Sequence, residues 1–158
     1  MHIPLGTPRR LVAAATHLLC KGIHANKPEK PVKFVLMNTT ANRNRDLHEP
    51  ITIVERGVFA LVRLLLPPQV DNKHAAEYFR VTIGQIDRFI EWFVVRPDTL
   101  INDDKVTGYD VYTSPTRSPV FNAGSTSRIN VAHFIADLIT SDKTWKRWRG
   151  QMPVIYNI

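Results

Sequence analysis

The sequence predicts an α/β fold, a partial doubly wound parallel sheet with flanking helices. Two runs carry the sheet. Phe89–Val95, inside FIEWFVVRPDTL, and Val32–Met37, VKFVLM, are short, apolar and rich in β-formers, as a strand buried on both faces requires. Around them, apolar residues recur at helical spacing, and strands separated by helices point to parallel pairing. Each run stops abruptly. The first meets Arg96-Pro97, where proline has no N–H for the ladder, and the second meets the short polar side chains of Asn38-Thr39-Thr40. Ligands of open α/β sheets bind just outside the carboxyl ends of strands. Arg96, Pro97, Asp98, Thr99 and Leu100 are therefore expected in such a crevice.

Taken in order, Thr7-Pro8 opens a helix, with Thr as cap and Pro at the first helical position. Leu11, Val12, Ala15, Leu18, Leu19 and Ile23 continue it. Strand Val32–Met37 follows, then a polar loop, Ala41–Pro50. Ile51–Leu66 reads as a helix apolar nearly all round, which is either deeply buried or packed on a partner. Pro67-Pro68 ends it. Asp71 or Asn72 caps the next helix, whose Ala75, Ala76, Phe79 and Ile83 share a face and which Gly84 closes. After strand Phe89–Val95 come an acidic turn at Asp103-Asp104 with Gly108, the alternating strand of YDVYTSP, and Thr116–Ser127, which is mostly loop. Asn130 caps a helix that turns Phe134, Ile135, Leu138 and Ile139 inward. Trp145 and Trp148 pack its end, and Val154–Tyr156 is a last short strand. The order is α, β, α, α, β, β, α, β, within one domain.

Composition bounds the function. The chain has 158 residues, 44% hydrophobic and 22% charged, as in an ordinary soluble globular domain. Cys20, the only cysteine, lies among Leu18, Leu19 and Ile23. It reads as a small buried hydrophobe, which excludes a disulfide framework and fits a reducing, cytoplasmic location. MHIPLGTPRR has no apolar core of signal-peptide length. Ile51–Leu66 is interrupted by Arg56 and Arg63 and is too short to span a bilayer. The net charge of +7 and pI near 9.9 raise nucleic acid or an anionic ligand as partners. Yet the clusters Arg43/Arg45 and Lys143/Lys146/Arg147/Arg149 are local, and no nucleic-acid-binding pattern occurs, so they read as a solvated basic surface. The histidines show no metal-like spacing with carboxylates, and no nucleophile–base pair stands out.

Four segments together resemble the C-terminal half of an atypical short-chain dehydrogenase/reductase of the NAD(P)H-binding, NmrA-like kind, over roughly Val32 to Tyr156. FVLMNTT is similar to the family's fourth strand. DNKHAAEYFRVTIG is similar to the helix bearing its lysine. FIEWFVVRPDTL is similar to its T-I-V-R-P-G-x-L strand and turn, and SRINVAHFIADLI to its I-S-R-x-D-V-A-x-F helix start. The resemblance implies a Rossmann-like sheet, an NADP or NAD cofactor and a small-molecule substrate. It places the Thr39 or Thr40 hydroxyl near the nicotinamide and substrate, with Asn38 beside them. It places Lys73 at the nicotinamide ribose, and Pro97 to Leu100 along the nicotinamide ring. Thr39 and Lys73 are then the catalytic candidates, and Asn38, Thr40, Arg96, Pro97, Asp98, Thr99 and Leu100 the further cofactor contacts.

The chain departs from the family in two places. Where the family often has Tyr-x-x-x-Lys, in which the lysine's charge lowers the tyrosine pKa, this chain has Gln69 before Lys73. The glycines Gly6, Gly22, Gly57, Gly84, Gly108, Gly124 and Gly150 make no GxGxxG, the turn that lets a backbone approach a pyrophosphate. The domain is thus expected to lack the family's N-terminal third, and this chain alone to bind dinucleotide weakly or not at all. Two other classes compete. A non-catalytic interaction module would form a homo- or hetero-oligomer through Ile51–Leu66 and a bare sheet edge. A nucleic-acid binder is supported by charge alone.

Overall fold

The computed structural model describes residues 10–49, 52–58 and 67–158, with side chains from residue 70 onward in the last stretch. Helix α1, Leu11–Asn26, leads to strand β1, Val32–Met37. Residues 53–58 form helix α2. Helix α3, Pro67–Glu77, runs on into a π-helical turn, Tyr78–Ile83. Strands β2 (Ile90–Pro97), β3 (Thr99–Ile101), β4 (Tyr109–Tyr112) and β5 (Ser125–Ser127) follow, then helices α4 (Arg128–Thr140) and α5 (Asp142–Trp148), and last β6, Val154–Asn157.

The main sheet has the order β1-β2-β6-β4. β1, β2 and β6 are parallel, and β4 joins β6 antiparallel as an edge strand. A smaller parallel pair, β3-β5, stands beside it. Strand β2 shows why the sheet is covered on both faces. Its alternate residues Ile90, Trp92 and Val94 enter one core with Ala75, Ala76, Phe79 and Cys20. Phe93 and Val95 enter the other, with Val131, Phe134, Leu138, Trp145 and Trp148. A period of two thus feeds α1 and α3 on one side and α4 and α5 on the other. The doubly wound α/β class expected from the sequence is the observed one.

Several local expectations are corrected. Asp71 does not cap its own helix, because it lies inside α3. Its carboxylate instead accepts the Val12 and Ala13 N–H groups of α1 at 2.7 and 2.9 Å. Those are the free donors of a helix first turn, which α1 satisfies from no side chain of its own. Pro67-Pro68 stands at the described start of α3, and the end of the helix it was expected to terminate lies outside the described residues. Ser127, not Asn130, caps α4, its Oγ accepting the Asn130 N–H at 3.2 Å. Asn130 is buried and bridges Thr107 and Asn157. Ile139 is solvent-exposed, whereas Phe134 and Leu138 are buried as expected. Gly84 does close its helix, at φ 70°, with its N–H bonded to the Phe79 carbonyl at 2.9 Å. Thr7-Pro8 and most of Ile51–Leu66 lie outside the described residues.

Arg96 carries the largest correction. It is 0% exposed, and its ion-pair partner is Glu49, from the loop after β1. Its terminal nitrogens grip both Glu49 carboxylate oxygens at 2.6 and 3.0 Å. The remaining N–H groups reach the carbonyls of Asn42 (3.0 Å), Thr113 (3.4 Å) and Met152. A guanidinium has five N–H donors, and all are used here.

Two outcomes follow from this packing. Glu49→Gln strands a buried cation, and urea unfolding followed by tryptophan fluorescence is expected to show a loss of about 3–5 kcal/mol. The double variant Arg96→Met/Glu49→Met is expected to lose less than Glu49→Gln alone.

The second concerns His24. Its ring nitrogens meet two acceptors, the Cys20 carbonyl at 2.9 Å and the Asp87 carboxylate at 2.8 Å, so the protonated ring fits best. The bond to Asp87 holds the imidazole pKa above its ordinary value. Burial pushes the Asp87 carboxyl up, but bonds from His24, Phe89 N and Ile90 N bring it net below the usual range. A raised histidine pKa contributes stability below its unfolded value, and that contribution is lost as pH rises through the folded one. The stability difference between wild type and His24→Gln is therefore expected to be full below the ordinary histidine pKa of about 6.5 and to shrink as pH rises above it in urea titrations.

Candidate functional site

The carboxyl ends of β1 and β2 lie side by side. Their register runs to Met37 opposite Val95, and the chain stays paired beyond it. Asn38 N donates to the Val95 carbonyl at 2.8 Å, and Thr40 N to the Pro97 carbonyl at 3.2 Å. The strand-end segments expected to meet at one crevice therefore do so. The Asn38 carboxamide fixes the third wall. Its Nδ2 donates to the Asn72 carbonyl of α3 at 2.9 Å, while its Oδ1 accepts Thr39 N and Asn42 Nδ2. Lys73, half-buried, is the next residue along α3. Thr39 Oγ1 accepts the Ala41 N–H at 3.4 Å, a local turn bond. Thr40 is buried.

Two groups of expected residues are placed differently. Arg96 sits beneath this crevice with every N–H committed to protein acceptors, which leaves none for a ligand. Asp98, Thr99 and Leu100 are not a free turn. Thr99 and Leu100 belong to β3 and pair with Ser125 and Thr126, so the stretch read as loop over Thr116–Ser127 ends in a strand. Asp98 Oδ2 accepts Gly124 N at 2.9 Å. Gly124 has to be glycine, since a Cβ there would stand 2.4 Å from the Tyr156 ring.

Just outside the strand ends lies a cavity of about 380 Å³. Its wall is formed by Thr40, Arg43 and Glu49 from the loop after β1, Thr52 and Glu55 at the start of α2, and residues 115–119. The α2 wall is a capping box. Thr52 Oγ1 accepts Glu55 N at 3.2 Å, and Glu55 Oε2 accepts Thr52 N at 2.8 Å. The other Glu55 oxygen takes the Ser118 hydroxyl, which ties the far loop to α2. That bond, then those from Thr52, hold the Glu55 carboxyl below the usual range against the effect of burial, with Arg43 adding its charge. Among the described residues no group of His, Cys, Asp and Glu is arranged to hold a metal, and no helix is long and apolar enough to cross a membrane.

Sequence reading missed Glu49, Asn42, Glu55 and Ser118. Two signals pointed to them. The spacing Thr52-x-x-Glu55 is a helix-start signature, and an arginine inside an apolar strand demands a carboxylate from a neighbouring loop.

No family model matches the sequence, and no curated protein does. Solved structures do resemble it. A short-chain dehydrogenase/reductase from Veillonella parvula in complex with NADP is 16% identical with a TM-score of 0.59, over 92% of this chain and 58% of its own. A Rossmann-fold NAD(P)-binding family protein from Shigella flexneri is 17% identical with a TM-score of 0.53, over 92% and 54%. A protein assigned as an NADH-flavin reductase from Streptococcus pneumoniae is 12% identical with a TM-score of 0.63, over 99% and 69%. The chain thus spans little more than half the length of the first two. Its fold is that of Rossmann-type NAD(P)-binding proteins, short-chain dehydrogenases/reductases among them, in line with the resemblance of its motifs.

Proposed function

We propose that this chain is a cytoplasmic, NAD(P)-binding protein of the atypical short-chain dehydrogenase/reductase kind, and that it receives the nicotinamide end of the dinucleotide at the carboxyl ends of β1 and β2. The observation that carries this reading is the bond from Thr40 N to the Pro97 carbonyl, which joins the two strand ends beside α3. Thr39 and Thr40 then offer hydroxyls to the nicotinamide and substrate. Lys73 reaches the ribose, and Asn38 holds α3 in place for it. Pro97 borders the ring, with Asp98, Thr99 and Leu100 shaping the wall beyond through β3. Arg96 supports this floor through Glu49 and touches no ligand. Oxidoreductase turnover requires a proton donor other than Gln69, whose amide does no acid–base chemistry at this position.

Saturation-transfer NMR with NADPH, which detects millimolar binding, tests the reading. The sequence carries residues for the nicotinamide end but no glycine-rich turn for the pyrophosphate. The nicotinamide protons are therefore expected to receive more transfer than the adenine protons. Lys73→Met is expected to reduce that transfer in a protein that still folds. Transfer centred on the adenine, or none, overturns the proposal.

A second reading, an interaction module, is favoured by α1. Leu11, Leu18 and Leu19 are 60%, 69% and 57% exposed, beside a β1 whose outer edge is unpaired in the described sheet. Sedimentation of the same sample separates the two: a concentration-dependent dimer without NADPH transfer favours the module.

A further inference from the structure

We infer that the cavity at the end of β1 takes the carboxylate of a small, singly charged organic acid, received by Arg43 and Thr40. The assignment names the substrate class of the crevice proposed above and rests on that reading. It starts from which polar groups in the cavity wall are already satisfied. Glu49 accepts Asn44 N and the Arg96 fork. Glu55 accepts Thr52 and Ser118. By contrast, among the described residues the buried Arg43 Nε has no hydrogen-bond partner. Thr40 borders the same cavity. A buried donor without an acceptor is costly, and a guanidinium edge matches a carboxylate with two parallel bonds.

Charge and size narrow the ligand. Arg43 and Arg117 line the cavity, and Arg96 lies behind Glu49; against them stand Glu49 and Glu55. Three positive charges less two negative leave one, which a monoanion neutralises. A volume of about 380 Å³ is at the small end for ligand sites and suits a body of about one ring. Pro115 and Pro119 give that body an apolar wall. A doubly charged phosphate would leave the site net negative, next to a Glu55 held ionised.

The test is a backbone amide chemical-shift titration without dinucleotide, using benzoate, its neutral isostere benzamide, and inorganic phosphate. Benzoate is expected to shift residues 40–43 and 115–119 and to bind at least about tenfold more tightly than benzamide, the factor for one charge-assisted hydrogen bond. Arg43→Gln is expected to remove that preference, and Thr40→Val to weaken benzoate while leaving benzamide unchanged. Equal binding of benzoate and benzamide by the wild type overturns the assignment, whether or not the variants fold. Tighter binding of phosphate than of benzoate also overturns it and gives the cavity to a phosphate. NADPH saturation transfer on Arg43→Gln keeps the two readings apart. Retained nicotinamide transfer there, with no benzoate preference in the wild type, refutes the carboxylate site alone.

Discussion

A charged arginine buried at the end of a central strand is the constraint around which the site region is arranged. A guanidinium removed from water needs a carboxylate and an acceptor for each N–H, or the strand carrying it cannot stay buried. Strand β2 meets that need with groups from three places. Glu49 and Asn42 come from the loop after β1, Thr113 from the chain after β4, and Met152 from the approach to β6. Lysine would not substitute, since one ammonium cannot present five donors in a planar fork. The loop after β1 therefore has a defined path. Glu49 then fixes that loop from within by accepting Asn44 N at 2.7 Å.

Acidic side chains recur as long-range staples elsewhere in the chain. Asp71 satisfies the first turn of α1 from within α3, and its negative charge also suits the positive end of that helix. Asp87 gathers Phe89 N, Ile90 N and His24, fixing where β2 begins and where α1 ends. Glu91 takes the Trp145 indole N–H at 2.5 Å and Arg149, holding α5 to the sheet. Each carboxylate joins segments far apart in sequence. The surplus of basic residues thus does not mean that acidic groups are idle on the surface.

This division explains what could be read from the sequence. Periodicity is local, so α1, β1, β2, α4 and the alternation of β4 were legible, as were the buried pair Trp145 and Trp148. The polar stop at Asn38–Thr40 and the proline stop at Pro97 were legible too, because a chain that leaves a sheet says so in its own residues. Long-range satisfaction was not. Asp71 beside a helix start reads locally as that helix's cap, and nothing in its neighbours says that the donors it meets are 58 and 59 residues away. Asn130 misled in the same way, since a short polar residue near a helix start is buried here as a bridge between Thr107 and Asn157. Thr99–Ile101 was read as a turn because three residues are too few to show a period, and its partner Ser125–Ser127 carries no apolar signature at all.

The same reasoning places chemistry one step outward from the strand ends. Parallel strands that finish side by side leave backbone groups facing a crevice, which in this fold class is where ligands enter. Here those groups are largely taken. Thr40 N is on Pro97 O, Asn38 joins α3, Asn42 O is on Arg96, and Thr99 N is on Gly124 O at 3.2 Å. What the floor gains in rigidity it loses in capacity to bind through its own backbone. Recognition therefore falls to side chains that the network leaves over, and the loop after β1 supplies them at the point where it turns away from the floor. Thr40 and Arg43 bracket Asn42, whose carbonyl is held by Arg96 and whose amide is held by Asn38. Asn42 is locked from two sides, so Thr40 and Arg43, which line the cavity, flank a fixed stretch of backbone. That preorganisation is what a small binding site needs, because little conformational freedom then remains to be lost when a ligand arrives.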